Sequence, residues 1–475
     1  MISELIQIEE FCWELPRKGK MRVPARFFGT REIIASLEPK VFEQAANVAT
    51  LPGIVDACYV MPDAHWGYGF PIGGVAAFDA DKGGIISVGG IGYDISCGVR
   101  TLLTDMSREE IASHLHKFVE MLFRRIPAGV GSEGLIKLSE SRLDDLLIKG
   151  ARWAVEEGYG SEEDLEFIED GGCVRGADPN KVSSTAKKRQ KRQIGTLGSG
   201  NHYLEIQYVQ KIFEPAIARA FGLWEGQVVI TIHCGSRALG HQIGTDYIHL
   251  LRRAAEKYGI YLPEKDLVCA PILSREGQDF YGAMVCGINC ALANRQVLSH
   301  LIGECFQKCF PSRRLSMLYD VSHNTCKIES HEVGGHTKRL YVHRKGATRA
   351  YPPGREGLPY KFREVGQPVI IGGSMGTASY VLAGTREGGL RAWSSACHGA
   401  GRAMSRRQAT KRWKGASVIN SLASQGIMVR AVSKRGAAEE APGAYKDVDE
   451  VVDSTHNARL AKKVVRLRPL ACIKG

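Results

Sequence analysis

Apolar residues recur at three- and four-residue intervals through residues 30–49, 108–125, 136–157, 241–258 and 277–310. That spacing predicts amphipathic helices, and Thr30 stands where its hydroxyl can cap the first of them. Residues 83–88, 227–233, 367–372 and 416–431 are instead β-branched runs punctuated by glycine, the pattern of strands meeting in turns. Helices and strands do not alternate strictly, so the order predicts an α+β fold rather than a doubly wound parallel sheet. No repeat of fixed period occurs, and no break in composition divides the chain. A single domain spanning residues 1–475 is therefore expected. The most linker-like piece is 178–193, where Lys187, Lys188, Arg189, Lys191 and Arg192 crowd together; it is predicted to be a mobile, basic surface loop.

Composition narrows the class. With 44% apolar and 24% charged residues, wholesale disorder and a fibrous protein are excluded. No run approaches the roughly 18 uninterrupted apolar residues of a membrane span. The N-terminal segment is acidic where a signal peptide needs basic residues, so a cytoplasmic protein without a membrane partner is expected. Thirteen cysteines in a chain this long read as reduced thiols. Cys286/Cys290 and Cys305/Cys309, four apart on helical segments, read as buried small apolar side chains rather than a zinc knuckle. The net charge of +12, from 63 Lys+Arg against 51 Asp+Glu, points to a polyanionic partner. Glycine is also abundant, at 54 residues, which implies many close backbone approaches.

Three constellations could carry chemistry. In Gly89-Gly-Ile-Gly-Tyr-Asp-Ile-Ser-Cys-Gly-Val99, a carboxylate (Asp94) and a thiol (Cys97) sit three apart between glycines. They could ligate one metal, or two if the sulfur bridges; a tight turn around a buried thiol is the plainer alternative. In Gly195-Thr-Leu-Gly-Ser-Gly-Asn-His-Tyr-Leu-Glu-Ile206, a glycine loop leads into alternating residues. As a strand this would place Asn201, Tyr203 and Glu205 on one side and His202 on the other, although an ordinary hairpin fits equally. His233, His323 and His398 each follow a strand-like lead-in and stop at small residues or Asn. With Asp94, Cys97 and His202 they make a metal-competent set of carboxylate, thiolate and imidazoles.

Other matches are set aside. Gly129-Val-Gly-Ser-Glu-Gly134 follows a helical stretch and Pro127, not a strand, so it is no dinucleotide fingerprint. His331 and His336 are five apart around a Gly-Gly pair that would break a zincin helix, and no P-loop occurs. The basic residues cluster again at Arg402, Arg406, Arg407, Lys411, Arg412 and Lys414, and at Lys462, Lys463, Arg466 and Arg468. Each run alone suits a solvated helix face. Together with the 187–192 cluster they favour a nucleic-acid groove.

Several blocks taken together resemble one family. They are Pro62-Asp-Ala-His-Trp-Gly-Tyr-Gly-Phe-Pro-Ile-Gly-Gly74, Gly92-Tyr-Asp-Ile-Ser-Cys-Gly-Val99, Leu197-Gly-Ser-Gly-Asn-His202, His233-Cys-Gly-Ser-Arg237, Val321-Ser-His-Asn324, Gly373-Ser-Met-Gly-Thr-Ala-Ser-Tyr380 and Cys397-His-Gly-Ala-Gly-Arg402. In this order they are similar to the RtcB-type RNA ligases, GTP- and manganese-dependent enzymes of tRNA splicing and RNA repair. The resemblance runs from about residue 20 to Lys474-Gly475.

It implies an RtcB-like α+β fold, with mixed and antiparallel sheets forming a core flanked by helices. Asp94, Cys97, His202, His233 and His323 resemble the ligands of two Mn²⁺ ions, with Cys97 as the bridge. His398 resembles the nucleophile that becomes guanylylated. Asn201 matches a nucleotide-phosphate contact and Glu205 the guanine reader, whose carboxylate can accept N1–H and the 2-amino group together while rejecting adenine. His323, Asn324, Gly372, Gly373, Ser374, Met375 and Ser379 match further positions of the guanosine pocket, as do Gly399, Ala400, Gly401, Tyr445 and Lys474. Asp63 matches an acidic residue near the metals. Arg189, Arg237 and Arg402 match positions expected to meet RNA. The implied reaction joins a 2′,3′-cyclic phosphate or 3′-phosphate end to a 5′-hydroxyl end through a histidine–GMP intermediate and a 3′-guanylylated RNA. The implied partners are RNA, as tRNA halves or broken ends, GTP and the activator archease; the chain itself is expected to be a monomer. A metal-dependent RNA-end phosphoesterase, or a GTP-responsive RNA-binding module, remain as alternatives.

Overall fold

Strands rich in Val, Ile and Leu, buried on both faces, build the larger sheet of the computed structural model, which describes residues 2–475. The strand Gln227–Cys234 is buried at every position, which is why it reads as a continuous apolar run rather than an alternating one. The sheet order is Leu315–Ser322, Gly98–Ser107, Gln227–Cys234, Tyr203–Ile212, Ala461–Lys474, Ser379–Gly384 and Pro368–Ile371, all antiparallel. An eighth strand, Met428–Ala431, runs parallel to Ala461–Lys474.

The register of these pairs positions the site. Gly98 is opposite both Ser322 and Cys234, and Tyr203 is opposite both His233 and Lys474. Five strand ends therefore meet at one edge of the sheet. The chain leaves that edge at His323 and enters Asn324–Val333, the last strand of a second, seven-stranded sheet. This second sheet also holds Ile54–His65, Ile72–Phe78 and His336–Lys345. Where the sheets meet, a short ladder pairs Ala347–Arg349 with Ser395–Cys397 and delivers His398 to the same place.

The helix Arg275–Cys309 is buried nearly all round, the mark of a core helix. Cys286, Cys290, Cys305 and Cys309 are buried in it as free thiols. It also carries a wholly buried Arg295, whose guanidinium grips Asp320 at 2.8–3.0 Å. Arg100 reaches the same carboxylate at 2.6 Å. Removing one member of such a buried set strands the others, at about 3–5 kcal/mol. Arg295 Nη1 further donates to the carbonyls of Ser96 (2.8 Å) and Cys234 (2.9 Å), so the core helix clamps two loops that carry site residues.

Several expected elements differ. The helix over 30–49 is two, Arg31–Ser36 and Pro39–Val48, because Pro39 starts a helix but cannot continue one; Thr30 does cap the first, accepting from Ile33 N–H at 3.2 Å. The stretch 136–157 breaks at Gly150. Its φ is +62° and a Cβ there would lie 2.4 Å from the Gly172 carbonyl oxygen. Residues 416–431 were expected as strand but form the helix Gly415–Ser424 followed by the short strand Met428–Ala431. Val418 and Leu422, four apart, are both buried, a helical spacing that the flanking glycines masked.

The basic piece 178–193 is not a mobile loop. It contains the helix Ser184–Gln190, capped by Ser183. Lys187 is buried and paired with Asp144 at 2.8 Å, and buried Gln190 accepts from Leu239 N–H at 3.1 Å. Ala186 and Gln190, four apart, anchor one face while Lys188 and Arg189 stay exposed. A charge-rich segment looks solvated in sequence until such a buried face is known.

Candidate active site

The five predicted metal-ligating residues converge at the sheet edge. Cys97 and His202 precede strands, His323 follows one, and His233 lies at the end of another. Two triads share the Cys97 thiol: Asp94, Cys97 and His202, and Cys97, His233 and His323, with donor atoms within 4.8 Å of one another in each. His202 Nε2 is 2.7 Å from Asp94 Oδ2. Cys97 Sγ is 3.1 Å from His233 Nε2 and 3.4 Å from His202 Nε2, and His233 Nε2 is 3.2 Å from His323 Nε2.

The donor set tests its own purpose. His233 Nδ1 is 3.1 Å from the Asn201 carbonyl oxygen, which can only accept, so that nitrogen carries the proton and Nε2 holds a bare lone pair. That lone pair faces a sulfur and another imidazole nitrogen. Such crowding of donors suits a cation rather than a hydrogen-bond network, and S, N and O donors admit a borderline divalent metal. Burial, then the neighbouring imidazoles, hold His233 and His323 well below the usual histidine range, keeping them neutral as ligands must be. Asp94 lies near 2, since His202, the Cys97 thiol and Arg237 outweigh the effect of burial. Gly235 must be glycine because a Cβ would sit 2.2 Å from Asp94 Oδ1.

Beside this cluster opens a cavity of about 370 Å³. His398 stands in its wall, its ring centroid 4.9 Å from that of His323. On its other side is Asp63, from the strand Ile54–His65 and wholly buried. Asp63 Oδ2 lies 2.6 Å from His398 Nδ1 and accepts the backbone N–H groups of His398 (2.9 Å) and Gly399 (3.2 Å). Burial raises this carboxyl, yet His398 and these donors bring it below its ordinary value. An ionised Asp63 favours the tautomer with the proton on Nδ1, which leaves a lone pair on Nε2. Gly401, at φ +72°, would place a Cβ 2.0 Å from the Asp63 carbonyl oxygen, so glycine is required for this approach.

Glu205 lines the same cavity. Burial raises its carboxyl to about 7, against the opposing influence of Lys474, Cys472 and Gln207. Its Oε2 accepts from Gln207 Nε2 at 2.8 Å, and the Cys472 thiol also faces this carboxyl. Asn201, Asn324, Gly372 and Gly373 also line the cavity, as do Ser374, Met375, Gly399, Ala400, Gly401, Tyr445 and Lys474. Ser379 lies behind the wall instead. Its hydroxyl accepts from Gly373 N–H (3.1 Å) and Gln207 Nε2 (3.0 Å), fixing the glycine turn and the neighbour of Glu205.

The three arginines expected at RNA occupy different settings. Arg402 is in the cavity wall, its guanidinium 3.4 Å from Glu440 and 3.2 Å from the Tyr445 hydroxyl. Arg237 lines a second cavity of about 690 Å³ beyond Asp94 and His202. Arg189 is exposed and donates to Gln242 at 2.7 Å. Sequence reasoning missed Glu440, a buried carboxylate held near 2 by Lys474, Arg406 and Arg402 against the opposing effect of burial. It binds Arg406 at 3.0 Å, drawing that residue out of the surface basic run and into the cavity wall. Nothing local to Glu439-Glu440 marks this, because its arginine partners lie 34 and 38 residues away.

Known proteins share this chain nearly end to end. The protein-family model described as "tRNA-splicing ligase RtcB" matches residues 44–475. The chain is 50% identical over 478 residues to "tRNA-splicing ligase RtcB" of Thermococcus kodakarensis, covering 99% of both chains. It is 50% identical over 477 residues to the protein of the same name from Archaeoglobus fulgidus, again covering 99% of both. It is 51% identical over 434 residues to "RNA-splicing ligase RtcB" of Mycobacterium tuberculosis, covering 91% of this chain and 100% of that protein. With a family match over most of its length and relatives at half identity, the chain belongs to the RtcB family.

Proposed function

We propose that this protein is an RNA ligase of tRNA splicing and RNA repair. It joins ends bearing a 2′,3′-cyclic phosphate or 3′-phosphate to 5′-hydroxyl ends with GTP as the energy source, the whole chain acting as one catalytic unit. The observation that carries the reading is the placement of His398 between the Asp63 carboxylate and a double-triad donor cluster, in a cavity that also exposes Glu205. Family membership supports the same activity.

The triads Asp94–Cys97–His202 and Cys97–His233–His323 would hold two divalent cations, Mn²⁺ by resemblance, which when bound neutralise charge on the reacting phosphates. Asp63 retains the Nδ1 proton of His398, so Nε2 attacks the α-phosphorus of GTP; the N–P bond forms as the bond to pyrophosphate breaks. Asp63 then stabilises the cationic ring. Glu205, once ionised, accepts the N1–H and 2-amino protons of guanine, which adenine lacks in that pattern. A cyclic phosphate is first opened to a 3′-phosphate. GMP then passes from His398 to a 3′-phosphate oxygen, and the 5′-hydroxyl of the second strand attacks that phosphate, releasing GMP. Arg237, Arg189 and Arg402 would border the RNA.

The test uses GTP labelled at the α-phosphate, with Mn²⁺ and the activator archease supplied. The expected result is an acid-labile protein–GMP adduct that ATP does not form and that His398→Ala abolishes. A wild-type protein that remains unlabelled while still processing RNA ends would instead be a phosphoesterase, and the ligase reading would be lost.

A further inference from the structure

Three rings that the chemistry above leaves unused form a continuous wall past the donor cluster. Tyr68 is 65% exposed and lines the first cavity. Its ring lies 6.2 Å from that of Tyr93, edge-on at 81°. Tyr93 lines both cavities and stacks on His241 at 5.3 Å and 27°. His241 is exposed in the second cavity, one helical turn beyond Arg237.

Exposed aromatics usually sit on yielding loops, but this one is anchored. Phe70, two residues on, is wholly buried. Gln44 holds Gly67 by two hydrogen bonds, at 2.8 Å to its carbonyl and 3.2 Å from its N–H. The buried Lys345 donates to the carbonyls of Tyr68 and Phe70. Gly69, at φ +71°, packs so closely that a Cβ would lie 2.6 Å from the Asp266 carbonyl oxygen. The loop thus buries Gly67, Gly69 and Phe70 and presents Tyr68 to solvent on a tethered backbone.

We propose that Tyr68, Tyr93 and His241 form a stacking platform for the unpaired nucleobases beside the break, guiding single-stranded RNA between the two cavities. This rests on the RNA-ligase reading. Aromatic faces bind any base, because every base has a π-face. The second cavity adds the guanidinium groups of Arg237, Arg406 and Arg435, the charge that a phosphodiester backbone requires. A strand of this chemistry would cross Tyr93 as it passes the donor cluster, placing its terminal group there without any base-specific contact.

The test joins RNA strands in which one base at a time, within three nucleotides of either end, is replaced by an abasic residue. With wild-type protein, an abasic residue at one or both ends should raise the KM for RNA about tenfold. Tyr68→Leu and His241→Ala should show that loss with intact RNA and little further penalty with the abasic strand. Tyr68→Phe should behave as wild type. An abasic penalty absent at every position, or undiminished in Tyr68→Leu and His241→Ala, overturns the platform. So does unchanged joining in both of these variants, the result expected if the rings dock a protein instead. The abasic comparison in wild type needs no variant to fold. Failure of wild type to join intact RNA would sink the ligase reading, a different outcome from joining that ignores the missing base.

Discussion

Two buried carboxyls, Glu205 in the wall of the cavity and Asp63 behind His398, are driven in opposite directions. Asp63 and Glu205 are both nearly inaccessible. Asp63 falls below its ordinary value because an imidazole and two backbone N–H groups face it. Glu205 rises to about 7, since Lys474, the Cys472 thiol and the Gln207 amide do not offset its burial. At the Asp63–His398 end the carboxyl is already lowered before any ligand enters, the condition of a preorganised group. The Glu205 end has only an amide and a thiol as donors, and the two adjacent N–H groups of a purine would complement it. The difference teaches that burial alone does not set a carboxyl's charge state; the donors around it do.

Breaking the Asp63–His398 end should have the largest effect. Asp63→Asn removes the acceptor that holds the His398 Nδ1 proton, and labelling by GTP should slow by about 10²–10⁴-fold, with GTP affinity changed far less. Rapid-quench labelling and equilibrium binding separate the two; equal losses in both would mean that Asp63 serves binding. At the Glu205 end, Glu205→Gln leaves one acceptor and introduces a donor against guanine. GTP affinity should fall roughly 10–100-fold, a charged hydrogen bond contributing about 1.5–3 kcal/mol, and preference over ATP should shrink by a similar factor.

A pH titration sharpens the same contrast. Glu205 must be ionised to accept from guanine, so GTP affinity should drop about tenfold per pH unit below about 7 and level off above it, with the dependence absent in Glu205→Gln. The linked stability has the opposite sign. A carboxyl raised from 4.5 to about 7 on folding favours the folded state fully below 4.5, and that contribution is lost as pH rises through about 7. The smallest effect is expected outside the cavity. Arg407→Glu, on the exposed helix face, should weaken RNA joining several-fold at low salt and less at high salt, with GTP labelling retained. Arg406→Glu should reduce both, because Arg406 is tied to Glu440 in the cavity wall.

That last pair shows how far the chain could be read unaided. In sequence, Arg406 and Arg407 are neighbours in one basic run. In the fold one is a half-buried partner of Glu440 and the other is solvated. The segment 178–193 and the stretch 416–431 misled for the same reason: charge and glycine are visible locally, while a buried helical face is defined by what packs on it.

The sequence by itself determined the fold class, the family and the donor types, because Asp94, Cys97, His202, His233, His323 and His398 each sit in a short motif whose glycines and neighbours are local facts. Tertiary structure alone decided that these motifs meet. They stand up to 304 positions apart, counting from 94 to 398, and come together because strands 315–322, 98–107, 227–234, 203–212 and 461–474 pair with their ends in register while the ladder of 347–349 with 395–397 delivers His398. It also decided the charge states of Asp63 and Glu205. A side chain's type is covalent, whereas its charge state depends on the donors that folding places around it.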